Sequence, residues 1–199
     1  MSEGHSTVGS ISGFLTEDHR CLERLLDRAG AQAGEIEPIS YEQFRAGLLR
    51  HIGMEEKILF PAIQRVQQGR AESSLVSSLA PALAQLRLEH GALAALLMPS
   101  PTTEVLATIR EILRRHDEIE ERPGGLYALG DKALIKEAEQ ILSALRAAPA
   151  VTLMPHSDSP AVTTTLHRAL ARAGYRLGGA RTEPEKEEAR SADPPGFRS

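Results

Sequence analysis

Four stretches of the chain repeat apolar residues every three or four positions, the period of a helix with one buried stripe. The first, over residues 11–34, carries Phe14/Leu15, His19, Leu22, Leu25/Leu26 and Ala29. Gly30 and Gly34 mark its end, and Pro38 the connection that follows. The second opens at Ser40, with Gln43 as its capping-box partner, and runs to about Gln68. Its stripe is Phe44, Leu48, His51/Ile52, Glu55, Ile58/Leu59, Ile63 and Val66, and Pro61 inside it predicts a kink or a tightened turn. Gly69 separates a third stripe, Leu75, Leu79, Leu83, Leu86, His90, Leu93 and Leu97. There Pro81 predicts a start near Ala80 or a bend. Pro99 and Pro101 end that helix, and Thr102 or Thr103 caps a fourth with Val105, Ile109, Ile112, His116 and Ile119/Glu120. Pro123-Gly124-Gly125 breaks it.

Stripes of this length on short connections predict an all-α protein, an antiparallel up-down four-helix bundle over residues 11–148. Residues 131–147 add a short extra helix or a displaced continuation of the fourth. A small polar leader (1–10) precedes the bundle, and a linker and tail (149–199) follow it. That tail holds one short helix at 163–177 and a charged, disordered end over 180–199. The doubled His-x3-Glu is the one internal repetition that stands out.

Composition narrows the function classes. Aromatics make up 4% of 199 residues and Trp is absent, which favours packed helices over sheet. A net charge of -4 gives no electrostatic footprint for nucleic acid. The single cysteine, Cys21, excludes an internal disulfide framework and suits a reducing compartment. No apolar run reaches membrane-spanning length, and Met1 leads into small polar residues without a signal-peptide pattern. The expectation is a soluble, cytoplasmic protein.

The chemistry lies in the polar residues that interrupt the stripes. His19, His51, Glu55, His90, His116 and Glu120 occupy stripe positions on all four helices. Burying them without a partner is costly, which points to a bound cation. His51/Glu55 and His116/Glu120 are i, i+4 pairs, one turn apart on one helix face. Two metals about 3.5–4 Å apart can share both glutamates as bridges. Of twelve octahedral positions, four imidazoles and two bridging carboxylates take eight, and a bridging oxide or hydroxide two more. About two remain for water, dioxygen or another small ligand. Mixed nitrogen and oxygen donors without thiolate suit two iron ions, with manganese or zinc as alternatives. Register along the bundle agrees for the first two connections. The third is less symmetric, with His90 nearer the Pro99–Pro101 turn than His116 is.

The order and spacing of these residues resemble the hemerythrin-like, or HHE cation-binding, domains. The surrounding text agrees: Glu17-Asp18-His19-Arg20, His51-x3-Glu55-Glu56 into Leu59-Phe60-Pro61, Leu88-Glu89-His90, and His116-x3-Glu120-Glu121 before Gly125-Leu126-Tyr127. The likeness covers about residues 10–147. It implies terminal iron ligation by His19, His51, His90 and His116, and bridging by Glu55 and Glu120. One departure stands out. True hemerythrins carry His-x3-His on the third helix, and here Ala94 takes the second position. The vacancy argues against reversible oxygen carriage and for sensing, iron handling or redox chemistry. Iron-centre repair relatives have an N-terminal cysteine module that is absent here.

Outside the six, Glu56, Glu89 and Glu121 are expected on solvated faces, about 100° from their ligand neighbours. Cys21 is expected as a small buried or half-buried residue. His5, His156 and His167 are expected to be exposed, and the Glu-Lys-Glu-Glu run near 185–188 to be a solvated cluster. The leading function is binding or sensing of dioxygen or a related small oxidant, with a small diatomic or peroxide as ligand. The alternatives are a di-iron redox enzyme acting on peroxide or nitric oxide, an iron-responsive regulatory module whose protein partner is unknown, and a metal-free bundle.

Overall fold

A computed structural model describes residues 10–32, 34–68 and 74–178. The expected leader up to residue 9, the Gly69 break and the charged segment 180–199 lie outside the described residues, as do the side chains of Leu75 and Leu79. Among the described residues the regular elements are all helices, so the protein is all-α. Helix α1 spans Ile11–Ala29, its first turn capped by Ser10, whose hydroxyl accepts from the Gly13 N–H at 3.0 Å.

Helix α2 spans Pro38–Met54 and corrects the capping-box reading. Glu37 is the cap, its carboxylate accepting from the N–H groups of Ile39 (2.8 Å) and Ser40 (2.7 Å). Pro38 in the first turn forfeits no hydrogen bond there, and a carboxylate suits the positive helix start. Pro61 does not tighten the chain. The helix instead widens through a π-helical turn, Glu55–Leu59, with the Phe60 N–H donating to the Glu55 carbonyl, before α3 (Phe60–Gln68) resumes. Helix α4 (Ser74–Leu96) starts before Ala80 and carries Pro81 inside it. Helix α5 (Thr103–Glu121) is capped by Thr102 as expected, with its hydroxyl accepting from the Val105 N–H at 3.1 Å.

In place of one helix at 131–147 there are two, α6 (Leu126–Ala133) and α7 (Ala138–Arg146). Helix α8 (Pro160–Ala173) ends on Gly174, whose φ of 84° is the left-handed conformation glycine adopts without strain. It packs along α4, while α1 packs along α2 and also meets α5, α6 and α7. The connection into α8 is strapped down. Arg45, 2% exposed, donates to the carbonyls of Leu97 (3.0 Å) and Met154 (3.1 Å). His156 donates to the Pro99 carbonyl at 2.8 Å and stacks on Tyr41, so it is half-buried rather than exposed.

The apolar side chains form two clusters. One holds Leu22, Leu48, Leu93 and Ile112; the other holds Leu15, Met54, Leu86 and Leu126. The histidines lie where the helices pass from one cluster to the other: His19 between Leu15 and Leu22, His51 between Leu48 and Met54, His90 between Leu86 and Leu93. A polar layer therefore crosses a core whose burial on either side contributes the bulk of the folding free energy.

Candidate metal centre

All six stripe residues are buried, and Glu55 and Glu120 are fully enclosed at 0% exposure. His19 Nε2 faces His51 Nε2 at 2.8 Å, and His90 Nε2 faces His116 Nε2 at 3.3 Å. The glutamates lie between these pairs. Glu55 Oε2 is 3.6 Å from His51 Nε2 and 3.1 Å from His90 Nε2. Glu120 Oε2 is 3.5 Å from His19 Nε2 and 3.4 Å from His116 Nε2. The six thus make two groups, His19/His51/Glu55/Glu120 and Glu55/His90/His116/Glu120, each with ligand atoms within 4.8 Å of one another. Both glutamates belong to both groups.

The imidazoles are aimed by a ring of carboxylates. Asp18 holds His51 Nδ1 at 2.8 Å, Glu56 holds His90 Nδ1 at 2.7 Å, Glu89 holds His116 Nδ1 at 3.1 Å and Glu121 holds His19 Nδ1 at 2.7 Å. Each acid sits beside a site residue of its own helix and serves a histidine of another, so the ring closes from α1 through the π turn, α4 and α5 back to α1. A carboxylate on Nδ1 keeps the proton there and leaves the Nε2 lone pair facing the centre. The expectation that Glu56, Glu89 and Glu121 are merely solvated is corrected, most plainly for Glu89, which is 1% exposed. The signal was in the text as an acid next to each site position: Asp18-His19, Glu55-Glu56, Glu89-His90 and Glu120-Glu121.

Sequence reasoning also passed over Tyr127. Its buried hydroxyl lies 2.6 Å from Glu55 Oε1, 2.9 Å from Glu120 Oε2, 3.1 Å from His19 Nε2 and 3.4 Å from His51 Nε2. Cys21 is exposed, not buried, and its hydrogen-bond neighbours are Glu17 and Arg24. His167 is exposed on α8, and His5 lies outside the described residues.

The donor set fits a cation. Glu55 Oε2 and Glu120 Oε1 are buried without a hydrogen-bond partner, a costly state for a carboxylate that is not coordinated. The charges already diverge. Burial opposes ionisation of Glu55, yet His51 and His90 hold its carboxyl well below the usual range. Burial and the neighbouring Glu55 push Glu120 well above it. Burial also disfavours a charged His51, but Glu55 and Asp18 outweigh it and raise the imidazole to about 10. Burial lowers His116. Two carboxylates at this spacing cannot both stay charged without positive charge between them.

A cleft of about 240 Å3 runs from the surface residues Glu23, Asp27 and Arg114 past Leu22 and Leu48 to His19, His51 and His116. Ala94, one turn beyond His90 on α4, is half-buried. No helix among the described residues is long and apolar enough to cross a membrane.

A family model described as the hemerythrin HHE cation-binding domain matches residues 10–123. No curated protein and no solved structure matches the chain.

Proposed function

The chain belongs to the hemerythrin HHE cation-binding family, and on that premise we propose that it holds two iron ions and binds or senses dioxygen or a related small oxidant. The observation that carries this reading is the pair of ligand groups sharing Glu55 and Glu120. His19 and His51 would hold one metal and His90 and His116 the other, with both glutamates spanning the two. Bound iron would supply a redox-active pair of Lewis acids with positions open to a small ligand. The chain's own residues do the rest. Asp18, Glu56, Glu89 and Glu121 orient the imidazoles, and the leucines along the cleft limit water. The helices pass between the two apolar clusters in alternating directions, which supports an antiparallel up-down bundle over residues 11–148, and the segment after it packs on that bundle through α8 and Tyr175. The single exposed Cys21 fits a cytoplasmic setting.

The deciding experiment is metal content per chain after aerobic and anaerobic purification, with absorption spectra before and after oxygen. The expected result is about two irons and an oxidation-dependent band. His116→Ala and Glu55→Ala should each lose at least one metal, whereas His167→Ala should lose none. Absence of metal after iron reconstitution, or equal content in all three variants, refutes the assignment.

A second reading, a redox enzyme consuming peroxide, is favoured by the cleft, whose volume exceeds what a diatomic requires. Sustained peroxide loss by the iron-loaded protein would select it, and a single reversible spectral change with oxygen would reject it.

A further inference from the structure

We propose that Tyr127 is a seventh protein donor of the centre, its hydroxyl oxygen binding the metal that His19 and His51 hold. The inference rests on the dinuclear reading above, though not on which oxidant the centre meets. Residue 127 lies just after the matched stretch, residues 10–123, in the segment that follows α5.

The first argument is geometric. Donors roughly 2.1 Å from one octahedral metal lie about 3 Å apart at adjacent vertices. The Tyr127 hydroxyl oxygen is 2.6, 2.9, 3.1 and 3.4 Å from Glu55 Oε1, Glu120 Oε2, His19 Nε2 and His51 Nε2, which brackets that spacing. His19 and His51 Nε2 are themselves 2.8 Å apart. The oxygen therefore sits at one corner of the polyhedron that the other four outline.

The second argument is a count of protons. A phenol has one hydrogen and can donate to one of these four neighbours. The three other contacts would be filled either by further protons or by one cation, and a shared cation satisfies all of them together. On coordination the oxygen–hydrogen bond gives way to an oxygen–metal bond, and the proton leaves to water.

The third argument is how the chain delivers the residue. α5 ends at Glu121, and the turn through Gly125 returns the chain so sharply that a Cβ on Gly125 would lie 2.7 Å from the Glu120 carbonyl and 2.8 Å from those of Ile119 and Arg122. That turn carries Tyr127, seven residues after Glu120, back onto Glu120's own carboxylate. Asp131, further along α6, accepts from the Ser12 hydroxyl and backbone N–H and pins α6 to α1. The donor is thus held on a rigid element rather than a loop.

The consequence is an unequal pair. Tyr127 adds an oxygen on the His19/His51 side from the apolar cluster it shares with Leu126, while the cleft, lined by His19, His51 and His116, does not include Tyr127. Among the described residues the His90/His116 side receives no such oxygen, and Ala94 offers none. The His90/His116 metal therefore has one protein donor fewer than the His19/His51 metal.

The test is resonance Raman spectroscopy on the full chain loaded aerobically with iron, prepared with ordinary and with ring-deuterated tyrosine. Metal content is measured on the same samples. The expected result is a phenolate-to-iron band whose enhanced modes shift with the label, present in wild type and Tyr41→Phe and absent from Tyr127→Phe. Tyr127→Phe should retain iron, with affinity at one position reduced about tenfold in chelator competition. Two bound irons without tyrosinate modes in wild type would overturn the proposal and leave the dinuclear reading standing. The same modes persisting in Tyr127→Phe would also overturn it. Failure of wild type to take up iron would remove both. The labelled wild-type spectrum decides the matter even if Tyr127→Phe does not fold.

Discussion

Tyr175 and Glu89 are joined across the packed faces of the C-terminal segment and α4: the Tyr175 hydroxyl donates to Glu89 Oε1 at 3.1 Å. The other oxygen of the same carboxylate holds His116 Nδ1, also at 3.1 Å. The chain that follows α8 thus reaches within two hydrogen bonds of a proposed ligand. Gln85 donates to Glu89 as well, at 2.8 Å, so the carboxylate has a partial substitute if the tyrosine is lost.

Tyr175→Phe should therefore destabilise the fold by about 1.5–3 kcal/mol, the range for one hydrogen bond to a charged group, while both metals still bind. Denaturant midpoints with and without metal measure this. A variant indistinguishable from wild type in both states would show that the contact is incidental.

The carboxylate ring predicts a shared phenotype. Asp18→Asn, Glu56→Gln and Glu121→Gln each remove the charge on a histidine Nδ1 without changing shape. Each should weaken metal binding by roughly 10–100-fold, since such partners set the tautomer and basicity of the ligand. Glu23→Gln, on the exposed face of α1, should not. Competition against a chelator of known affinity separates the two classes, and equal affinities across all four would contradict the ring's role.

Metal uptake should depend on pH in a direction set by His51. Burial opposes its charge, but Glu55 and Asp18 raise the imidazole to about 10. An unfolded imidazole titrates near 6.5. In the metal-free chain this pair therefore contributes stability fully present below about pH 6.5 and lost as pH rises through about 10. A metal must displace the proton on His51, so apparent affinity should rise between about pH 7 and 9 with protons released on binding. Calorimetry in buffers of different ionisation enthalpy counts those protons, and finding none would refute the assignment.

Gly125→Ala tests the turn behind α5. The added methyl meets three backbone carbonyls that cannot move independently, so a loss of about 1–3 kcal/mol is expected. Gly53→Ala, where a Cβ meets nothing within 4 Å, is the control and should be neutral or slightly stabilising. Thermal unfolding of both variants measures the difference.

Much of this was legible from the linear chain. The all-α class, the Thr102 cap and the set of six buried polar residues all follow from periodicity, because positions three and four apart share a helix face whatever the helix meets. The acids beside each site residue were equally visible. Spacing on their own helix assigned Glu56, Glu89 and Glu121 to solvent, since a residue offset by about 100° leaves the stripe.

What the sequence by itself determined, then, is the content of each helix face: which residues are apolar, which polar groups interrupt them, and where the helices break. Tertiary structure alone decided which faces meet. It turned Asp18, Glu56, Glu89 and Glu121 toward histidines of other helices, placed the Tyr127 hydroxyl among four site atoms, and brought Tyr175 onto Glu89. It also widened the helix at Glu55 rather than tightening it, and moved the start of α2 from Ser40 to Pro38. The reason is physical. Helical periodicity is a local property of a few neighbouring residues, whereas these contacts join side chains far apart in sequence, held only by the packing of the two apolar clusters on either side of the polar layer.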